Sequence, residues 1–162
     1  MKSFTKFGSI ILLLCVFCIF ILSGCGEEKS GNTLDEPEIT GEYLSEEYSR
    51  QLLTDGAETI TGFVDMEKSD GVYKVKVTEK EVVPNSSYDE GYYIADTNLI
   101  KNLSLGIEPK IACLSDGELI VQTPDEFIKY SKKHPNQLYT IYMMGVSAEL
   151  IIATSPEDVI VE

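Results

Sequence analysis

Thr59-Ile60-Thr61-Gly62-Phe63-Val64-Asp65-Met66, the stretch Glu67-Lys68-Ser69-Asp70-Gly71, and Tyr73-Lys74-Val75-Lys76-Val77-Thr78 running on to Val83 decide the fold class. Ile60, Val64 and Met66 recur at even spacing, with Gly62 between them at a corner. Tyr73, Val75 and Val77 point one way, and Lys74, Lys76 and Thr78 the other. A period of two with one apolar face is the signature of a half-buried strand. The segment between the two strands is polar and ends in Asp-Gly, a turn signal. The whole reads as a hairpin. Its apolar phase slips at Val82-Val83, as a bulge or bend would make it, and a Pro84-Asn85-Ser86-Ser87 loop comes next.

Downstream, Tyr92-Tyr93-Ile94-Ala95 reads as a third, shorter strand. Thr97 to Pro109 has no clean period and admits one short helical turn near Leu99–Leu103. Ile111–Leu114 and Glu118–Gln122 flank Ser115-Asp116-Gly117, a tight-turn signal. Thr123-Pro124-Asp125-Glu126 is a capping box with proline at the first helical position. It opens a helix carrying Phe127, Ile128 and Tyr130 and ending near Lys133. Leu138–Met144 and Ala148–Ala153 read as strands, and Pro156–Val161 as an edge or last short strand. Upstream, Thr40 to Gly56 reads as a helix, with Tyr43, Leu44, Tyr48 and Leu52 near helical spacing and Ser45 as a cap. The expected class is α+β: a mainly antiparallel β-sheet with two helices. Its architecture is either a partly open OB-like barrel or a curved sheet with helices on one face.

The N-terminus has Lys2 and Lys6, no acid, and an uncharged apolar run from Ile10 to Leu22. Thirteen helical residues span about 20 Å, short of the roughly 30 Å hydrocarbon core. A basic head, a short apolar middle and small residues after it read as a secretory signal. The four residues Leu22-Ser23-Gly24-Cys25 resemble the lipobox of bacterial lipoproteins at every position. The resemblance implies that the Cys25 thiol takes a diacylglyceryl group and that a dedicated peptidase cuts before it. Two acyl chains hold a protein stably on a bilayer where one does so only marginally. An ordinary secretory signal and an uncleaved anchor are the alternatives. Gly26, where Asp would favour inner-membrane retention, leaves open the outer face of the cytoplasmic membrane or an outer membrane. The expected organisation is therefore signal peptide 1–24, lipidated Cys25 and a polar tether to residue 39, and one domain over 40–162.

Composition narrows the partners. The chain has 162 residues, 13 basic and 27 acidic, for a formal charge of −14. Loss of residues 1–24 removes two lysines and no acid, leaving 11 basic residues and a formal side-chain charge of −16. With one arginine, Arg50, nucleic acid is not an expected partner, since phosphates call for clustered cations. Of four cysteines only Cys113 would remain as a free thiol after lipidation, so the mature domain has no internal disulfide. It lies in an apolar run and reads as a small core residue. His134, the sole histidine, reads as a helix-end cation before Pro135. The adjacent acids Glu46-Glu47, Asp89-Glu90, Asp125-Glu126 and Glu157-Asp158 read as solvated surface. As an EF-hand, the Asp65–Gly71 turn would place Asp70 where glycine is needed. No catalytic residue, cofactor or metal ligand is expected.

Tyrosine usage is the remaining signal. All nine tyrosines lie after Cys25, against two phenylalanines (Phe63, Phe127) and no tryptophan. A ring with a polar tip suits half-wet contact surfaces. Tyr88, Tyr92 and Tyr93 surround the loop 86–91 and form the candidate contact patch for a peptide or glycan. The alternative is that one of the Tyr92-Tyr93 pair alternates into the core. The expected function is a membrane-anchored, non-enzymatic binding or assembly module of the cell envelope, for cationic peptides or envelope proteins. The alternative is a small envelope hydrolase using carboxylates brought together by folding.

Overall fold

The computed structural model describes residues 38–160. The expected signal segment, Cys25 and the expected tether up to residue 37 lie outside the described residues, so those expectations stand on sequence alone. The described part belongs to one compact unit. No helix in it is long and apolar enough to cross a membrane.

The first helix, α1, runs through Gly41–Tyr43, a π-helical segment Leu44–Tyr48, and Ser49–Thr54. Its cap is Thr40, whose Oγ1 accepts a hydrogen bond from the Tyr43 N–H at 3.1 Å. Ser45 is not the cap. The helix starts four residues ahead of it, and its hydroxyl donates to the Glu42 carbonyl at 3.0 Å. Gly56, in the left-handed region at φ 94°, ends the helix, as glycine does most easily. Gly41 is buried against strand β4 (Glu118–Val121), and any Cβ there would collide with the Leu119 carbonyl.

The hairpin is formed by β1 (Glu58–Ser69) and β2 (Val72–Pro84), joined at Asp70-Gly71. Val64, Met66, Val75 and Val77 are buried while Asp65, Glu67, Lys74 and Lys76 are exposed, as the alternation requires. Strand β3 (Tyr92–Ser115) is 24 residues long. It absorbs the segment Thr97–Pro109, which carries no helical turn. Two irregularities hide its period from the sequence. The register with β2 shifts between Thr78 and Lys80, where Asn98 has φ 60° and the Thr97 hydroxyl donates to the Glu79 carbonyl at 3.1 Å. The register with β6 (Ser147–Ala153) breaks between Leu105 and Lys110. The first leaves two extra residues on β3, which keeps its in–out phase, and the second leaves three, which inverts it.

Helix α2 (Pro124–Lys133) has the expected capping box: the Thr123 N–H donates to Glu126 Oε2 at 2.9 Å, and the Glu126 N–H donates to Thr123 Oγ1 at 3.4 Å. Strand β5 (Tyr139–Met144) and β6 then close the chain. Residues Pro156–Val159 form a single helical turn, α3, rather than a strand. Proline at the first helical position and two acids in the first turn favour that outcome. The described residues thus hold a third, one-turn helix besides the two expected.

Pairings run β2-β1-β5-β6-β3-β4, and β2 also pairs with β3. Five strands thereby form a ring of neighbours, all antiparallel except β3 with β6. The ring is barrel-like, and the broken β3–β6 seam leaves it not clearly closed. Gly62 is the corner: it pairs with Glu79 of β2 and Tyr139 of β5. A side chain there would strike the Thr78 carbonyl. Inside lie Val77, Ile111, Cys113, Ile141 and Ile151, with Phe127 of α2 packed edge-on to Tyr139 at 5.3 Å. Outside, α1 sets Leu44 and Leu52 on Ala112, Leu150 and Ile152. Strand β6 is covered on both faces, which is why Leu150-Ile151-Ile152-Ala153 is uninterruptedly apolar.

Candidate functional site

Beyond Glu79 strand β1 no longer pairs with β2, and β6 does not reach β3 before Ser104. Residues Lys80–Pro84 and Tyr92–Asp96 therefore pair only with each other and form a two-stranded arm. Lys80 secures its base. It is ion-paired with Asp96, and its ammonium sits 4.6 Å from the centre of the Phe63 ring. The loop at the tip is knitted by its own backbone. The Asn85 N–H donates to the Gly91 carbonyl at 2.7 Å, the Gly91 N–H to Tyr88 at 2.9 Å, and the Tyr88 N–H to Asn85 at 3.2 Å. The Asn85 side chain accepts from the Ser87 N–H at 2.9 Å, an Asx turn.

This loop presents two of the three candidate tyrosines together. The Tyr88 and Tyr93 rings lie 5.5 Å apart, with 51% and 37% of their surface exposed. Tyr92 is half-buried and does not join them. Successive strand residues point to opposite faces, and Tyr92 meets Glu157 of α3. Burial first, and then the Glu157 carboxylate, raise its hydroxyl pKa. Exposed Glu81, Asp89 and Glu90 flank the pair, and residues 81–95 contain no basic side chain.

The other residues singled out in the sequence have structural places. Cys113 is fully buried, and burial pushes its thiol up to about 12. His134 caps α2 and stacks on Tyr130 at 4.3 Å. Asp125 accepts from the Tyr73 hydroxyl at 2.9 Å and lies 3.4 Å from the Lys68 ammonium, pinning α2 to the β1–β2 hairpin. The Tyr73 bond leads the lowering of the Asp125 carboxyl and the raising of the Lys68 amine. Glu126 is lowered by its bonds to Thr123. Among the described residues no three His, Cys, Asp or Glu side chains converge as metal ligands would.

The sequence did not single out the outer face of β1, β2 and β3, where two depressions meet. One, of about 440 Å³, is lined by Asp65, Glu67, Lys74, Lys76, Asn102 and Ser104 among others. The second, of about 320 Å³, shares Asp65 and Lys76 and reaches Ser131 and Lys132 of α2. The alternating Lys74, Lys76 and Thr78 are visible in the sequence as a solvated face. Comparison with known proteins finds no matching family model, no similar curated protein and no similar solved structure.

Proposed function

We propose that this chain is a lipid-anchored, non-enzymatic binding or assembly module of a bacterial cell envelope, with the Tyr88–Tyr93 pair as its contact surface. The anchor reading rests on the resemblance of Leu22-Ser23-Gly24-Cys25 to a lipobox. The observation that carries the binding reading is the exposed ring pair held 5.5 Å apart on a self-bonded loop. Rigid tyrosines supply contact area at little entropic cost, the property that enriches them at interfaces. The carboxylates around them favour a cationic segment of a peptide or envelope protein, through ring faces and charge together.

A photo-crosslinking residue at Tyr88 in growing cells tests this, with the same residue at Asp116 as control. The reading predicts one discrete envelope adduct at position 88, none at 116, and loss of the complex in Tyr93→Ala. It predicts also that the purified full chain binds a lysine-rich peptide at low salt through these rings. Identical adduct patterns at both positions, together with no peptide binding, contradict it.

A further inference from the structure

The trough over β2 is independent of the tyrosine tip and has its own chemistry. Its floor is built of cross-strand rungs. Asp65 on β1 faces Lys76 on β2, which faces Asn102 on β3; Glu67 faces Lys74, which faces Ser104. Each rung places a carboxylate, an ammonium and a neutral donor–acceptor side by side, about 5 Å apart. Among the described residues the ion pairs are Lys68–Asp125 and Lys80–Asp96, so neither rung is closed by one of its own. Two carboxylates balance two ammoniums. In a chain of formal charge −14, this face carries no net charge in its two rungs to recruit a polyanion or a polycation. It offers strong acceptors, strong donors and the Asn102 amide, which does both, while the Ser104 hydroxyl donates to the Val146 carbonyl at 3.3 Å and is left to accept. That set matches a ligand whose own groups each donate and accept, repeated along a chain. Val72 and Tyr73 also line the depression and give it apolar surface on which the carbon face of a sugar ring can lie, with the Tyr73 hydroxyl held by Asp125 and its ring by Lys68.

We propose that the trough over β2 binds a neutral oligosaccharide laid along the strand, its hydroxyls accepting from Lys74, Lys76 and Asn102 and donating to Asp65 and Glu67. The stretch from Val72 to Thr78 is about 20 Å long at strand rise, room for several sugar rings.

The test is calorimetric titration of the full chain in detergent micelles. The probes are neutral tetrasaccharides of glucose, N-acetylglucosamine, galactose and mannose, with polyphosphate and a lysine-rich peptide for comparison. At least one neutral tetrasaccharide should bind with an affinity that stays within about twofold between roughly 50 and 500 mM salt. The double variant Lys76→Ala/Asn102→Ala should weaken it about tenfold or more while the thermal unfolding midpoint is kept. Tyr88→Ala/Tyr93→Ala should leave it unchanged, so that failure of the tip reading and failure of this one are told apart. The proposal is overturned if none of the tetrasaccharides binds, if the trough variant binds as well as the parent, or if polyphosphate alone occupies the trough.

Discussion

Removing the Tyr139 hydroxyl should make this protein more stable. Tyr139 is 1% exposed, and its ring packs edge-on against Phe127. Its hydroxyl is buried with no hydrogen-bond partner, and burial, as the first cause, raises its pKa. Leaving such a group unsatisfied costs about 1–3 kcal/mol. Tyr139→Phe keeps the ring, its rotamer and its aromatic contact and deletes only the unpaired oxygen. The void left is smaller than a methylene, so most of that penalty should return as stability. Taking about 1 kcal/mol and a urea m-value of roughly 1.5 kcal/mol/M, the unfolding midpoint should rise by roughly 0.7 M with the slope unchanged. Tyr139→Ala removes the ring as well and should cost about 3–5 kcal/mol. Equilibrium urea unfolding monitored by far-UV circular dichroism measures both. A midpoint for Tyr139→Phe that falls at constant slope refutes the reasoning, because the hydroxyl would then be contributing a bond.

Other consequences are as direct. Cys113, its thiol raised to about 12, should react with a disulfide reagent at pH 8 only through unfolding; its labelling rate should climb with urea in step with the unfolded fraction. Gly62→Val should lower stability by about 1–3 kcal/mol through its collision with the β2 backbone, read as a drop in melting temperature, and an unchanged melt would contradict the corner. Asp125 has a folded pKa below its unfolded one. Its contribution is therefore present above about pH 4 and fades as pH falls through the folded value. Tyr73→Phe should accordingly raise the Asp125 pKa in an NMR titration and narrow the gap between melting temperatures at pH 7 and pH 3.

Strand β2 was legible because from Tyr73 to Thr78 each side chain sits on the face its period assigns, and α2 because Thr123, Pro124 and Glu126 are local signals that meet within one turn. Strand β3 was not. Its residues 97–109 shift register twice, by two residues opposite Glu79 and by three opposite Glu149, and both shifts depend on the partner strands rather than on local sequence. The cap of α1 was misplaced at Ser45 because the helix begins with a buried glycine, a residue that ordinarily disfavours helix. What decides its place is the fit of Gly41 against Leu119, a tertiary contact. The tyrosine patch was visible as composition, but which two rings would pair depended on strand alternation at Tyr92-Tyr93. The trough was invisible, since Asp65, Lys76 and Asn102 come together only through register.

The proposed anchor at Cys25 would place both binding proposals at a membrane, and mass spectrometry of the protein purified from its own cells tests it directly. The account predicts a chain beginning at Cys25 and carrying diacylglyceryl, with Cys25→Ser accumulating as unlipidated full-length precursor. A chain from cell membranes that starts elsewhere, or a Cys25→Ser variant matured and retained like the parent, would contradict it.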